Sequence, residues 1–108
     1  MELARIEGTV VSTVKVDRLQ GHKLMLIGLL KPDTSALGTY LVAVDTVGAG
    51  VGEVVLVVRG SSARQTDKTA KVPTDTTIVG IIDGIVYQGK TVYEKNNAEA
   101  SGRVSGTD

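Results

Sequence analysis

The sequence contains no cysteine, no tryptophan and no phenylalanine, and only three tyrosines, two prolines and one histidine among 108 residues. Without cysteine there is no disulfide framework and no thiolate-held metal, a pattern that fits a reducing compartment. A single histidine, His22, leaves a zinc centre short of its usual ligands. The scarcity of aromatics hands the core to Val, Leu and Ile, whose β-branched members favour pleated strands. Missing too is an excess of either charge, since twelve basic residues balance twelve acidic ones. Proteins that hold nucleic acid draw much of their affinity from a basic excess, so this balance speaks against that partner. It also lowers the self-repulsion that keeps copies apart, which favours assembly. No apolar run approaches the about 20 residues that cross a bilayer as a helix. The opening Met1-Glu2-Leu3-Ala4-Arg5 lacks the apolar centre of a secretory signal. A cytoplasmic protein without membrane contact is the expectation.

What is present reads as one small all-β domain. Short apolar runs alternate with turn chemistry: residues 4–14 (ARIEGTVVSTV), 22–30 (HKLMLIGLL), 39–45 (TYLVAVD), 53–59 (EVVLVVR) and 76–87 (TTIVGIIDGIVY) are the expected strands. Gly8 marks a bend or bulge in the first, and Asp83-Gly84 a kink in the fifth. Gln88-Gly89-Lys90 turns the chain into a short last strand at 91–93. Five main strands with one longer interruption at 60–74 predict an OB-like Greek-key barrel. The domain is expected to span residues 1–93, with 94–108 a polar, flexible tail too poor in apolar surface to order itself. Residues 22–30 are apolar on both alternating faces beyond Lys23, so the strand needs cover on both sides. Strand 53–59 should likewise alternate between core and neighbour, so Val→Asp at Val55 or Val57 would unfold the subunit or break an assembly.

Three groups invite a chemical reading. Gly48, Gly50 and Gly52 alternate before EVVLVV. A dinucleotide loop needs a helix after its glycines and a Walker loop needs Gly-Lys-Ser/Thr, and neither follows here. A tight turn with positive φ is the expected role. Ser61 and Ser62 lack any marked base, because nothing pairs them with His22. Asp83 lies within the most apolar strand and is the acid with the strongest claim to burial, with Asp45 and Glu53 flanking the glycine turn. Tyr40, Tyr87 and Tyr93 are too few and dispersed for a base-stacking platform, although an OB-type single-stranded nucleic-acid module stands as the alternative function. The residues alone thus describe an aliphatic β-barrel without an evident catalytic site, metal or cofactor.

Four stretches carry a closer resemblance. They are Ala4-Arg5-Ile6 with Gly8-Thr9-Val10-Val11-Ser12-Thr13; Leu19-x-Gly21-x-Lys23-Leu24; Asp45-x-Val47-Gly48-Ala49-Gly50-Val51-Gly52-Glu53 through Val55-Leu56 to Gly60-Ser61-Ser62-Ala63-Arg64; and Pro73-x-Asp75 leading to Ile81-Ile82-Asp83. In this order the sequence resembles the pentameric vertex proteins of bacterial microcompartments, the carboxysome and ethanolamine-compartment family. The resemblance implies an OB-like barrel that closes into a homopentamer and caps five-fold corners of a shell tiled by hexameric shell proteins. It implies no catalysis and no cofactor. It places Gly60, Ser61, Ser62, Ala63 and Arg64 at a loop near the five-fold axis, or Arg64 in an ion pair between subunits with Glu53 or Asp83. The tail is not part of the match, and contact with cargo or surface display is its expected role.

Overall fold

The computed structural model describes residues 1–12, 21–60 and 76–95. These form seven strands: β1 (Glu2–Val10), β2 (Lys23–Leu30), β3 (Ala36–Asp45), β4 (Val54–Arg59), β5 (Thr76–Ile81), β6 (Gly84–Tyr87) and β7 (Lys90–Glu94). The first five close a barrel in the order β1-β2-β3-β5-β4, with β4 returning to β1. Every pairing is antiparallel except β3 with β5, which run parallel and meet at Val44↔Thr77 and Asp45↔Ile78. A closed five-strand barrel is the all-β architecture that the spacing of apolar runs predicts.

The barrel closes because its strands carry side chains at a period of two. Ala4 and Ile6 of β1, Met25, Ile27 and Leu29 of β2, Ala43 of β3, Val55 and Val57 of β4, and Ile78 of β5 all point inward and are buried in one cluster. No ring is among them, so the interior is narrow. The register of β1 on β2 slips between Ile6 and Gly8, inserting Glu7 as a bulge that bends β1 around the barrel.

The long fifth strand expected from 76–87 is two strands instead. β5 ends at Ile81, and the Ile82 N–H donates to the Val54 carbonyl at 2.8 Å as the chain leaves the barrel wall. β6 then starts a separate two-stranded sheet with β7. The apolar neighbours of Asp83 explain its departure from expectation. Ile82 and Ile85 turn to the barrel's outer wall, which leaves Asp83 on the bend and exposed in the protomer. The Asp83 carbonyl accepts the Lys95 N–H at 2.9 Å, closing the root of the hairpin. At the other end Gln88 and Gly89 take φ of 53° and 76°, the paired positive values of a two-residue hairpin turn.

This hairpin makes a second core on the outside of the barrel. Ile82, Ile85 and Tyr93 pack on Leu3, Leu30 and Val54, whose side chains face away from the interior. Part of the second apolar face of β2 is therefore covered at Leu30 by the chain itself. Towards Leu26, which is 38% exposed, it stays open.

Two outcomes test this packing. Val55 and Val57 both point into the barrel at 0% exposure, so the choice between core and neighbour resolves to the core for each. Val55→Asp or Val57→Asp buries an unpaired charge at a cost of about 4 kcal/mol or more, and far-UV circular dichroism should show loss of the fold. Thr77 is the opposite case. Its hydroxyl is buried without a hydrogen-bond partner among the described residues. Thr77→Val should raise the urea midpoint, corresponding to about 1 kcal/mol of added stability.

Candidate functional site

The glycine-rich loop between β3 and β4 is built on one carboxylate. Asp45 ends β3 and is 7% exposed. Its Oδ1 accepts the amides of Val47 at 2.9 Å and Gly48 at 3.1 Å, and its Oδ2 accepts that of Ala49 at 3.0 Å. Gly48 and Gly52 take φ of 75° and 91°, a region closed to most side chains, whereas Gly50 does not. The Gly50 amide donates to Glu53 Oε1, the Gly52 amide to the Ile6 carbonyl at 2.8 Å, and the Glu53 amide to the Gly50 carbonyl at 3.1 Å. Ala49 folds into the barrel interior at 2% exposure. Thr46 adds a bond from its hydroxyl to the Ile78 carbonyl at 2.8 Å. A phosphate cradle presents free amides to its ligand. Here six loop amides already have acceptors inside the protein, so the loop is a clasp between β1, β3 and β4.

Glu53 extends the clasp to the hairpin. Lys95 Nζ lies 2.6 Å from Glu53 Oε2, and the two side chains are 30% and 21% exposed. The hydrogen bond from Lys95 and then the one from the Gly50 amide hold the Glu53 carboxyl below the usual glutamate range. Glu53, a candidate for an ion pair between subunits, is thus engaged within its own chain. On the far side of the barrel Arg59 forks onto Glu2, with Nη2 to Oε1 at 2.9 Å, tying the start of β1 to the end of β4.

The remaining sequence candidates do not converge. Gly60 is exposed with φ of 67° where the chain leaves β4. Ser61, Ser62, Ala63 and Arg64 lie outside the described residues, as does the tail from residue 96. His22 is half-buried beside Lys23, Asp45, Thr46 and Gly48 around an open depression. Among the described residues no three of His, Asp and Glu gather in a metal-binding group, and no helix is long and apolar enough to cross a membrane.

The surface that sequence reasoning did not single out is the outer wall of β1, β2 and β3. Leu26, Val42 and Tyr40 lie on it at 38%, 48% and 58% exposure. Their signal was in the sequence as the outward half of the doubly apolar β2, opposite Val42 and Tyr40 in register. Their exposure was not, because the hairpin's cover over Leu30 is a tertiary fact.

Comparison with known proteins places this geometry in a family. The family model described as ethanolamine utilisation protein EutN/carboxysome matches residues 1–83. The bacterial microcompartment shell vertex protein EutN of Escherichia coli K12 is 40% identical over 95 residues, covering 88% of this chain and all of that one. The solved structure of CcmL from Gloeobacter violaceus, a carboxysome shell vertex protein, superposes with a TM-score of 0.82 at 41% identity, over 89% of this chain and 99% of that one. The GrpN pentameric microcompartment shell protein from Rhodospirillum rubrum superposes with a TM-score of 0.73 at 45% identity, over 81% of this chain and 99% of that one.

The clasp generates two expected outcomes. Asp45→Ala strands three amides, two of them at the barrel rim, and should cost about 2–3 kcal/mol in chemical denaturation. Glu53 acts through its ionised form. Its carboxyl is lower in the folded state than the ordinary value of 4.5, so its contribution is complete above that value and is lost as the pH falls through the lower folded value. Between about pH 5 and about pH 3 the melting temperature of the wild type should fall more steeply than that of Glu53→Gln. Parallel curves would separate Glu53 from acid lability.

Proposed function

The chain belongs to the EutN/CcmL family, and on that premise we propose that it is a structural shell protein whose copies close into homopentamers capping the five-fold vertices of a bacterial microcompartment in the cytoplasm. The observation that carries this reading is likeness over almost the whole barrel, at 45% identity, to a microcompartment shell protein that is itself pentameric. The physical features agree. A narrow aliphatic core gains from burying further apolar surface against a second copy. The chain has such surface to offer on the wall at Leu26, Val42 and Tyr40.

The role is geometric. A layer of six-fold tiles lies flat and cannot close, and a five-fold tile at each corner supplies the missing curvature. Hexameric shell proteins of the same compartment are the partners that this role requires. Each pentamer contact is heterologous, and the ring closes because every copy is rotated one-fifth of a turn from the last. We read the protein as non-catalytic and free of cofactors, in keeping with the structural role of its relatives. Gly60, at the exposed end of β4, starts the segment through Arg64 that we assign to the loop beside the five-fold axis.

The single-stranded nucleic-acid reading is not favoured. Tyr93 is buried in the second core, Tyr40 lies over Gly28 and Tyr87 sits at the hairpin turn, so no two rings form a stacking platform.

Native mass spectrometry at near-physiological salt tests the proposal. Five copies of the 11.3 kDa chain should appear as one species of about 56.5 kDa. A monomer across a wide concentration range would overturn it.

A further inference from the structure

Two basic side chains stand at one end of the barrel with no part in either core. Lys23 and Asp45 are paired across β2 and β3, two residues beyond the pair Met25 and Ala43. Met25 and Ala43 face the barrel interior. At a period of two, Lys23 and Asp45 carry the same inward rows past the last core layer, to the mouth of the barrel. Ala49 enters the core from the loop, so the interior behind this mouth is filled. At the mouth lies an open depression of about 470 Å³, lined by Gly21, His22, Lys23, Asp45, Thr46 and Gly48.

The charges there are not matched to one another. Both oxygens of Asp45 are taken by three loop amides, and the residue is 7% exposed. Lys23 forms no ion pair with it or with any other carboxylate among the described residues. The exposed ammonium of Lys23 and the half-buried imidazole of His22 are thus both without a hydrogen-bond or ion-pair partner among those residues. An ammonium supplies three N–H donors and an imidazole at least one. Charge separates this depression from two others on the barrel. One beside Tyr40 carries Glu7 and no cation among its described residues. One at the start of β1 carries Glu2, whose carboxylate holds Arg59.

We propose that the mouth of the barrel binds the phosphoryl group of a small phosphorylated molecule, with Lys23 Nζ and the His22 imidazole as its donors. A lysine ammonium meets a phosphate as a point charge, whereas a planar carboxylate is matched best by the fork of an arginine. No arginine is among the described residues of the depression. A dianion also gains twice what a single carboxylate gains from the same positive potential. The volume falls within the range of about 300–1,000 Å³ that small-molecule sites occupy, and the mouths of β-barrels are a common place for them. An open depression buries little of its ligand. The affinity is therefore set by charge, lies in the millimolar range and weakens with salt. Both donors come from one copy, so the site does not depend on the ring.

The test uses the full chain and a reporter that it already carries. His22 is its only histidine, so the imidazole C2 proton gives one resonance at the site. Inorganic phosphate added at constant pH should move that resonance along a saturable curve, and glycerol phosphate should do so at least as tightly. Sodium chloride and sodium acetate at matched ionic strength should move it little. Lys23→Gln changes an exposed side chain, so it should fold by circular dichroism and weaken phosphate binding about tenfold. Lys90→Gln, at the hairpin turn, should leave binding unchanged. His22→Gln, followed by the broadening of the phosphate phosphorus resonance, should weaken it as well. A shift with chloride equal to that with phosphate, or an unchanged affinity in Lys23→Gln, overturns the proposal. Acetate that saturates as tightly as phosphate overturns its phosphoryl selectivity, and exclusion of glycerol phosphate overturns the organic ligand. A chain that binds phosphate yet stays monomeric removes the vertex reading and keeps this site.

Discussion

The carboxylate of Asp45 is the point on which the barrel's closure depends. Its backbone pairs with Ile78 in the short parallel contact that seals β3 to β5, and on the other side with Lys23 of β2. Its side chain gathers three amides and sets the course of the loop into β4. Parallel pairing is the weaker kind per residue, and only two pairs of it are present. A buried acceptor with three donors supplies at the seam the directional bonding that a longer ladder would give elsewhere. It also explains why three glycines stand so close together without a ligand to hold. The chain must reverse within a few residues while the amides of residues 47–50 point back at Asp45 and Glu53.

The second organising fact is that the domain has two small cores where one would be expected. A barrel lined by Ala, Val, Ile, Leu and Met has little interior to fill, and it fills it without an aromatic ring. The larger side chains are used outside. Tyr93 closes the cluster between hairpin and wall, and Tyr40 lies across Gly28 on the outer face of β2 and β3. The Glu53–Lys95 pair and the Asp83–Lys95 backbone bond tie the hairpin root to the glycine loop, so both cores report to the same clasp.

Much of this was legible in the sequence, and the reasons differ by element. β1, β2, β3 and β4 were readable because alternation with β-branched residues has one simple solution. Gly8 was readable because a glycine within a strand needs a reason, and the bulge supplies it. The break at Asp83 was marked as a kink and turned out to divide two sheets. Its apolar neighbours suggested a buried strand because a one-dimensional pattern cannot tell the inside of a barrel from its outside wall. For the same reason Val55 and Val57 could not be assigned a side until the register fixed both inward. The ion pairs of Glu53 with Lys95 and Arg59 with Glu2 had no signal at all, since each joins residues far apart along the chain. Of the surfaces, the apolar outward face of β2 was visible from its composition, and the hairpin that covers it at Leu30 was not.

The β3–β5 seam has a further consequence. Because pairing on that side of β3 is confined to Val44 and Asp45, the strand from Ala36 to Ala43 carries backbone donors and acceptors without a ladder partner among the described residues. Such an edge is a template for any extended chain that arrives first. The left-handed φ of 89° at Gly38 kinks it and shortens the stretch that a stray strand can follow. Among the described residues that side of β3 is thus held by two backbone pairs and by the loop gathered on Asp45.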